Sequence, residues 1–357
     1  MNQDTTPAPT GPTGPIAPIA PAQPPLMHRI FVGRDGLRAG WSLLIFIVLF
    51  AVIGFCANFI AHKIHPHDAN AAKTAAELPV KLAIIGESFS FFAILLITWI
   101  MSKIERRSIS VYSLSVRRKL PQFFAGLVWG VVCLSLLVAT LWKAGLLVFN
   151  GRLLFGGNIL RYGAAWLLGF IFVGFTEEYL MRGYLQFTLT RGLAGLYRWA
   201  FKMSHCEAFG FWTSAVIFSF LFGLGHSSNP GESPIGLLSA GLVGMVFCLS
   251  LWRTGSLWWA IGFHAAWDWA QSFLYGVADS GMMAQHHFLA THPAGKPILS
   301  GGATGPEGSI LVIAILALVT LIILLTLPHD RQAHMAGVVQ PDQSQSPGPL
   351  PGEAVAG

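Results

Sequence analysis

An all-α, polytopic membrane helix bundle is the fold class that this sequence predicts, and three observations lead to it. Of the 357 residues, 54% are hydrophobic and only 11% are charged, whereas a soluble domain carries about 25% charged residues. The mean hydropathy is +0.60. The shortage of charge extends over several long apolar segments and not over one core, which excludes an ordinary soluble domain.

Eight apolar segments are predicted to be membrane helices because of their length and composition. Together they form one predicted transmembrane domain at residues 41–327, and the motifs described below fall within about residues 120–276. The eight segments are residues 41–61, 80–102, 122–148, 162–190, 208–226, 235–253, 257–276 and 309–327.

Both ends of the chain are predicted to be disordered tails, because they are rich in proline and small polar residues and show no helical or strand periodicity. Residues 1–40 comprise a Pro-rich tail and a juxtamembrane segment. No apolar stretch begins near Met1, so no signal peptide is predicted. Residues 328–357 form the second tail.

The distribution of lysine and arginine predicts the orientation of the bundle. With eight spans both termini lie on one side, and that side receives 14 basic residues against six on the other, with Arg182 and Lys143 set aside as intramembrane. Because cytoplasmic loops carry the excess of basic residues, both termini are predicted to be cytoplasmic. The chain is predicted to be a multi-pass protein of a bacterial inner (plasma) membrane. The basic residues that give the net charge of +6 flank apolar segments. They therefore indicate the lipid bilayer as a partner and not nucleic acid.

Other polar groups give weaker signals. The four cysteines show no CxxC spacing, so they are predicted to be free thiols without a disulfide or zinc framework. Glu87 and Lys143 lack a partner three or four residues away. We expect either side chain to pair inside the bundle, or the lysine to reach the interface.

The segment GFTEEYLMRGY, residues 174–184, places three charged side chains in an apolar span. Each charge costs at least about 2.5–3.5 kcal/mol at mid-bilayer, so a role is expected. Glu178 and Arg182 are four residues apart and can pair on one helix face, whereas Glu177 points about 100° away. A buried salt bridge that only positions helices explains Glu178, but it does not explain the adjacent Glu177.

Two further motifs place histidines on other spans. FGLGH, residues 222–226, ends a span at His226, with Phe222 one turn earlier. Taken alone, His226 fits an interfacial histidine bound to water. In GFHAAWDW, residues 262–269, His264 and Asp268 share a helix face. Either the two side chains hydrogen-bond to each other, or both face a water-filled cavity.

Taken together, the three motifs supply the side chains that activation of water requires. A carboxylate can act as general base, and an imidazole can bind a divalent metal or stabilise an oxyanion. The spacing is not HExxH, so the arrangement differs from that of the soluble zinc proteases.

The three motifs resemble those of the CPBP intramembrane proteases, which include the CAAX prenyl endopeptidases and the bacteriocin-processing and immunity proteins. The family pattern is EExxxR, FxxxH and then HxxxN or HxxxD on separate helices. In this sequence the pattern stands in that order as Glu177-Glu178-Tyr-Leu-Met-Arg182, Phe222-Gly-Leu-Gly-His226 and His264-Ala-Ala-Trp-Asp268.

The resemblance implies a CAAX-protease-like core with a hydrophilic cavity open to the cytoplasm. It implies that Glu177 and His226 activate the attacking water, and that His264 and Asp268 stabilise the oxyanion or help to hold a metal. Glu178 and Arg182 would shape the site. The metal would be divalent, zinc foremost, on His226 and His264 with Glu177 or Asp268, although a metal-free mechanism has also been argued for this architecture.

The third motif ends in Asp268 where many family motifs have Asn. An ionised carboxylate cannot donate a hydrogen bond to an oxyanion. This favours metal binding or orientation of His264 over a direct oxyanion role for Asp268.

The function predicted is an intramembrane endopeptidase that hydrolyses a peptide bond in a peptide or membrane-protein substrate near the cytoplasmic face. One alternative is a non-catalytic immunity or scaffold protein that keeps the protease fold, which would not need Glu177, His226 and His264. A second is a transporter with a proton relay, which would predict related halves, and no second EEYLMR-like segment occurs.

The predicted spans leave one geometric problem. Span four runs toward the cytoplasm and span five runs away from it, so Glu177 lies at mid-membrane and His226 near the outer end. The offset is about 8–9 Å at 1.5 Å per residue. Helix tilt, a break near Gly223 and Gly225, or a misplaced boundary would close it.

Overall fold

The computed structural model describes residues 26–33, 36–64, 77–114 and 119–329. Most of the two predicted tails, residues 1–25 and 330–357, lies outside the described residues. Helices occur at all eight predicted positions. The helices are α1 Leu26–Phe31, α2 Ala39–Ile64, α3 Val80–Ile104, α4 Leu120–Lys143, α5 Gly157–Glu178, α6 Phe187–Phe201, α7 Cys206–Gly225, α8 Pro234–Thr254, α9 Trp258–Trp269, α10 Pro297–Ser300 and α11 Val312–Thr326.

Short elements connect or extend these helices. A π-helical segment, Tyr179–Gln186, joins α5 to α6, and a second, Ala270–Leu274, extends α9. Two antiparallel two-stranded sheets pair β1 Val32–Gly33 with β2 Gly36–Leu37, and β3 Leu147–Arg152 with β4 Leu289–Pro293. The 3₁₀ turns are Ile109–Tyr112, His226–Ser228 and Pro306–Gly308.

The fold is the predicted all-α polytopic membrane bundle. Six helices in the described ranges are long and apolar enough, by length and composition, to cross a membrane, and they correspond to the first six predicted segments. The last two predicted segments contain shorter helices. α9 has 12 residues before its π-helical extension, and α11 has 15 residues.

α9 is a core element of the bundle. Trp259, Ile261 and Ala265 are completely buried. Glycines let the α4 backbone approach α9 closely: a Cβ on Gly126 would collide with the carbonyl oxygen of Trp259, and a Cβ on Gly130 would collide with a carbonyl oxygen one turn further along α9. Small residues four apart are the usual means of such close helix packing in membranes. The helix that carries the third motif is therefore rigidly held.

The helix that carries the first motif is longer than predicted. α5, the π-helical segment and α6 form one continuous helix, Gly157–Phe201, so the predicted boundary of residues 162–190 was too short at both ends. Apolarity alone marks only the lipid-facing part of this helix, and its last turns are amphipathic.

This extension closes the predicted gap between the first two motifs. α7 returns antiparallel along the second half of the long helix: Thr190 Oγ1 lies 2.5 Å from Ser214 Oγ, and the Arg182 guanidinium carbon lies 4.4 Å from the centre of the Phe222 ring. One turn further along α7, His226 comes level with the paired glutamates. The helix continues unbroken to residue 225, so the misplaced boundary is the explanation and a helix break is not.

The bundle has two distinct ends. At the end where α2 begins, Lys119 Nζ donates to the Thr254 carbonyl at 2.9 Å. At the other end, the loop between α9 and α11 covers the helices. There the Leu78 amide donates to the Met283 carbonyl at 2.7 Å, and the Thr304 hydroxyl donates to the carbonyl of residue 231 at 3.0 Å.

Candidate active site

Glu178 is the centre of a buried polar chain that joins the first and third motifs. Its Oε1 accepts hydrogen bonds from Arg182 Nη1 and from His264 Nδ1, each at 3.0 Å. Both the Glu178 and the Arg182 side chains are fully buried. The i,i+4 spacing on one helix makes the pair with Arg182, and the antiparallel packing of α5 against α9 brings in His264.

Glu177 points to a different face and approaches the other side of the same imidazole. Its Oε2 lies 3.7 Å from His264 Nε2, and Asp268 Oδ2 lies 3.5 Å from the same nitrogen. Three carboxylates therefore surround His264. The Glu177 side chain keeps 35% of its surface exposed, whereas Glu178 keeps none, so only Glu177 of this pair is placed to meet a substrate.

His226 is oriented by its own helix. Its Nδ1 donates to the Phe222 carbonyl at 2.8 Å, one turn earlier. A hydrogen bond of this kind fixes the tautomer and leaves the Nε2 lone pair as the free acceptor. The Phe222 ring packs 4.8 Å from the His226 ring and 6.3 Å from the His264 ring, centre to centre. Phe222 therefore packs near both imidazoles.

A cavity of about 360 Å³ brings the three motifs together inside the bundle. Glu177, His226, His264 and Asp268 all line it, and Phe222 forms part of its wall. The other two motif residues, Glu178 and Arg182, do not line the cavity but lie behind it. The polar motif residues are thus divided between four that face one shared cavity and two, Glu178 and Arg182, that lie behind it.

Sequence analysis missed several polar residues of this cavity. Glu87, Asn229, Asp279 and Glu307 also line it. Glu87 was noticed only as an acid without a helical partner, because the sequence does not show which way it faces. Asp279 and Glu307 lie in a loop with no periodic pattern, and only the folding of that loop across the helices brings them here.

The loop acids are held by serine residues. Ser272 Oγ donates to Asp279 Oδ2 at 3.1 Å, and Ser280 Oγ donates to Glu307 Oε1 at 3.0 Å. Burial raises the pKa of the Asp279 carboxyl well above its ordinary value, and the charges of Asp268 and Glu307 raise it further. Burial also raises the pKa of the Glu307 carboxyl, although the hydrogen bonds from Ser280 oppose the shift.

A metal ion does not fit the site as its side chains stand. His264 Nδ1 already bonds to Glu178, and its Nε2 faces two carboxylates. In the part of the chain that the structure describes, no group of three or more His, Cys, Asp or Glu side chains is placed to hold a metal ion. The divalent metal on His226 and His264 therefore stays a prediction.

The cavity reaches toward the end of the bundle opposite to the start of α2. Its lining includes Leu78, Asn229 and the loop residues 279, 280 and 282–284, all of which belong to connections at that end. Cytoplasmic termini and a cavity open to the cytoplasm are therefore two predictions that point to opposite sides of the membrane.

Comparison with known families gives a match to the region that carries the motifs. Residues 159–270 match the model of the Rce1-like family, described as type II CAAX prenyl endopeptidase Rce1-like. The matched region contains all three motifs. Comparison with curated proteins and with solved structures gives no match. Residues 159–270 of this chain are therefore similar to the Rce1-like family, which agrees with the resemblance that the three motifs indicate.

Proposed function

We propose that this protein is an intramembrane endopeptidase that hydrolyses a peptide bond with water activated by Glu177 and His226. One observation carries the proposal: two imidazoles and two carboxylates from three helices line a single cavity within a membrane bundle. Ionisable groups at membrane depth are costly and mark functional sites. The Rce1-like match of the same region supports an endopeptidase.

The first step is attack of water on the scissile carbonyl carbon. Glu177 accepts a proton from the water, and the unprotonated Nε2 of His226 accepts the hydrogen bond of the second water proton. A C–O bond forms, and the carbonyl oxygen becomes an oxyanion. In the second step the C–N bond breaks, and the proton taken by Glu177 passes to the leaving amine. The products are a carboxylic acid and an amine, which balances the addition of one water.

His264 is the group best placed to stabilise the oxyanion. An imidazolium at this position has its Nδ1–H fixed by Glu178 and presents its Nε2–H at the cavity wall, near Asp268 and Glu177. Asp268 holds the imidazolium by charge and does not donate a hydrogen bond itself. Preorganised donors of this kind supply a large share of the stabilisation of acyl-transfer transition states.

The substrate is a peptide or a membrane protein whose cleavage site enters the cavity. The family description names CAAX prenyl endopeptidases, so a prenylated CAAX peptide is the first substrate to test. A membrane peptide without a prenyl group is the second, because the proposed reaction needs only a peptide bond.

The proposal is tested by proteolysis with the purified protein in lipid nanodiscs. Wild type should cleave at least one of the two peptides, and Glu177→Gln should lose activity by about 100- to 10,000-fold, the usual contribution of a general base. Glu77→Gln is the matched control, because Glu77 is an exposed acid that does not line the cavity. Absence of cleavage in the wild type with both peptides, in a correctly folded preparation, would favour the scaffold alternative.

A further inference from the structure

We propose that Gly244 is a positioning residue for this site, because its missing side chain provides the space that the Arg182 guanidinium occupies. The inference rests on the proposed function for its kinetic consequence. Gly244 lies in the middle of α8, a helix that carries none of the three motifs. Its role is therefore visible only in the structure.

The contact is closer than any side chain at position 244 would allow. A Cβ on Gly244 would lie 2.7 Å from Arg182 Nη2, 3.0 Å from Ser219 Oγ and 3.1 Å from Ser219 Cβ. Carbon atoms do not approach nitrogen atoms to such a distance without displacing one of them. Alanine at this position therefore forces Arg182, α8 or both to move.

The end of an arginine is usually flexible, but this one is not free to move aside. Arg182 is only 1% exposed. Its Nη1 bonds to Glu178 Oε1 at 3.0 Å, and its guanidinium carbon lies 4.4 Å from the centre of the Phe222 ring on one side and 5.9 Å from that of Phe247. Any displacement of the guanidinium therefore disturbs its bond to Glu178 or its packing against these two rings.

A displacement of Arg182 affects His264 through one shared acceptor atom, Glu178 Oε1. Glu178 Oε1 accepts from both Arg182 Nη1 and His264 Nδ1. A guanidinium pushed away from Gly244 moves or loses this shared acceptor, and the His264 ring then loses the hydrogen bond that fixes its orientation. Gly244 thus acts on the reacting groups through Arg182 and Glu178, and does not touch a substrate itself.

The chain offers a matched control on the same helix. Gly241 lies almost one turn before Gly244, and a Cβ there would lie 3.4 Å from the Ser219 carbonyl oxygen, which is an ordinary contact. Both positions face α7 near the same residue, Ser219. Only position 244 also meets the arginine, so a difference between the two alanine variants isolates the arginine contact.

The test is a double-mutant cycle with Gly244→Ala, Arg182→Lys and both changes together, plus Gly241→Ala as control. A lysine at position 182 keeps a positive charge but has no Nη2 atom to meet the new Cβ. We expect Gly244→Ala to lower kcat by about tenfold or more, with KM within about twofold, because orientation and not uniform binding is lost. In the Arg182→Lys background the same change should lower kcat by about twofold or less. Gly241→Ala should retain wild-type kcat and KM.

Thermal unfolding of the same set separates this inference from the proposed function. Gly244→Ala should lower the Tm more in the wild-type background than in the Arg182→Lys background, whether or not the protein hydrolyses peptides. If wild type is inactive and this coupling is present, the proposed function fails and the positioning by Gly244 stands. An equal loss of kcat and Tm in both backgrounds would overturn the inference, because the effect would then come from α7–α8 packing. Wild-type behaviour of Gly244→Ala would also overturn it.

Discussion

Glu178 Oε1 lies 3.0 Å from His264 Nδ1, and this single bond links the helix of the first motif to the helix of the third. The same oxygen accepts from Arg182. One buried carboxylate oxygen therefore serves an ion pair within its own helix and the orientation of an imidazole on another. This geometry gives the two adjacent glutamates different surroundings, although their side chains are chemically identical.

The first prediction separates Glu177 from Glu178. Glu177→Gln should abolish hydrolysis while the protein still inserts and folds, because Glu177 is partly exposed to the cavity and its loss removes a base. Glu178→Gln should lower the stability, because it leaves the buried charge of Arg182 without its partner, at a cost of roughly 3–5 kcal/mol. Arg182→Leu should destabilise similarly. The measurements are peptide cleavage and chemical unfolding of the purified variants.

Equal folding defects in the variants would contradict this prediction. If Glu177→Gln, Glu178→Gln and Arg182→Leu show equal folding defects, the whole cluster is structural and Glu177 has no separate chemical role. Glu77→Gln serves as the control for the loss of an exposed carboxylate.

The second prediction concerns the two nitrogens of His226. His226→Asn retains an N–H donor close to the position of Nδ1, so it can keep the hydrogen bond to the Phe222 carbonyl, but it has no group at the position of Nε2. His226→Gln places its polar end nearer to the Nε2 position. We expect His226→Asn to fold with nearly wild-type Tm and to lose cleavage by at least about 100-fold.

His226→Gln should lose activity too, because its amide oxygen is less firmly oriented than the imidazole Nε2, although it still accepts a hydrogen bond from water. Its residual activity should therefore exceed that of His226→Asn. Activity of His226→Asn close to that of wild type would show that Nε2 takes no part in catalysis.

The third prediction concerns the metal. If His226 and His264 bind a divalent ion, the purified protein should contain nearly stoichiometric metal, and His226→Ala or His264→Ala should remove it. Asp268→Asn should then weaken metal affinity by about 10- to 100-fold. Without a metal, Asp268→Asn removes the charge that holds the His264 imidazolium and should lower the cleavage rate. If residue 268 acts directly on the oxyanion, the asparagine supplies an N–H, and activity should hold or rise. Metal analysis and cleavage rates after treatment with a strong chelator distinguish these cases, and an active metal-free wild type would reject the metal.

The sequence predicted the elements better than their relative placement. Apolar length located all eight helices, because burial in lipid selects composition directly. It did not show that α9 is enclosed by protein, since an apolar helix faces lipid and a protein core with the same residues. The glycines at positions 126 and 130 are the relevant signal, and their close backbone contacts with α9 appear only in three dimensions.

In the candidate site too, the sequence predicted contacts within one helix but not contacts between helices. Spacing alone predicted that Glu178 pairs with Arg182, because both lie on one helix face. The bond from His264 to Glu178 joins residues 86 positions apart, so it depends on helix packing that no local pattern encodes. Asp279 and Glu307 were missed for the same reason. The glycine at position 244 was missed because the absence of a side chain carries no chemical signal.

The fourth prediction concerns pH and the loop acid Asp279. Folding favours the neutral form of a carboxyl whose pKa is raised by burial. Its contribution to stability is therefore complete below the unfolded pKa of about 3.9, and it is lost as the pH rises through the raised pKa of the folded state. Asp279→Asn imitates the neutral acid and keeps an oxygen to accept the hydrogen bond from Ser272.

Thermal unfolding of the detergent-solubilised protein between about pH 4 and pH 8 measures this effect. Asp279→Asn should raise the Tm at the upper end of this range and leave it nearly unchanged at the lower end, and Glu77→Gln should show no such difference. A lower Tm of Asp279→Asn at the upper end would mean that the ionised carboxylate is the stabilising form in the folded protein.

The fifth prediction decides which side of the membrane the cavity faces. The basic residues at positions 119, 191, 202 and 253 lie at the end of the bundle where α2 begins. Their excess at this end predicts that both termini are cytoplasmic. Reporter fusions after residues 152 and 290 should therefore read as outside, and fusions after residue 114 or 203 as cytoplasmic. The cavity reaches toward the loops near residues 152 and 290, so this result would place its loop end on the outer side. If the fusions after 152 and 290 read as cytoplasmic in an active protein, the cavity opens to the cytoplasm as the family resemblance implies, and the basic residues do not determine the orientation of this chain.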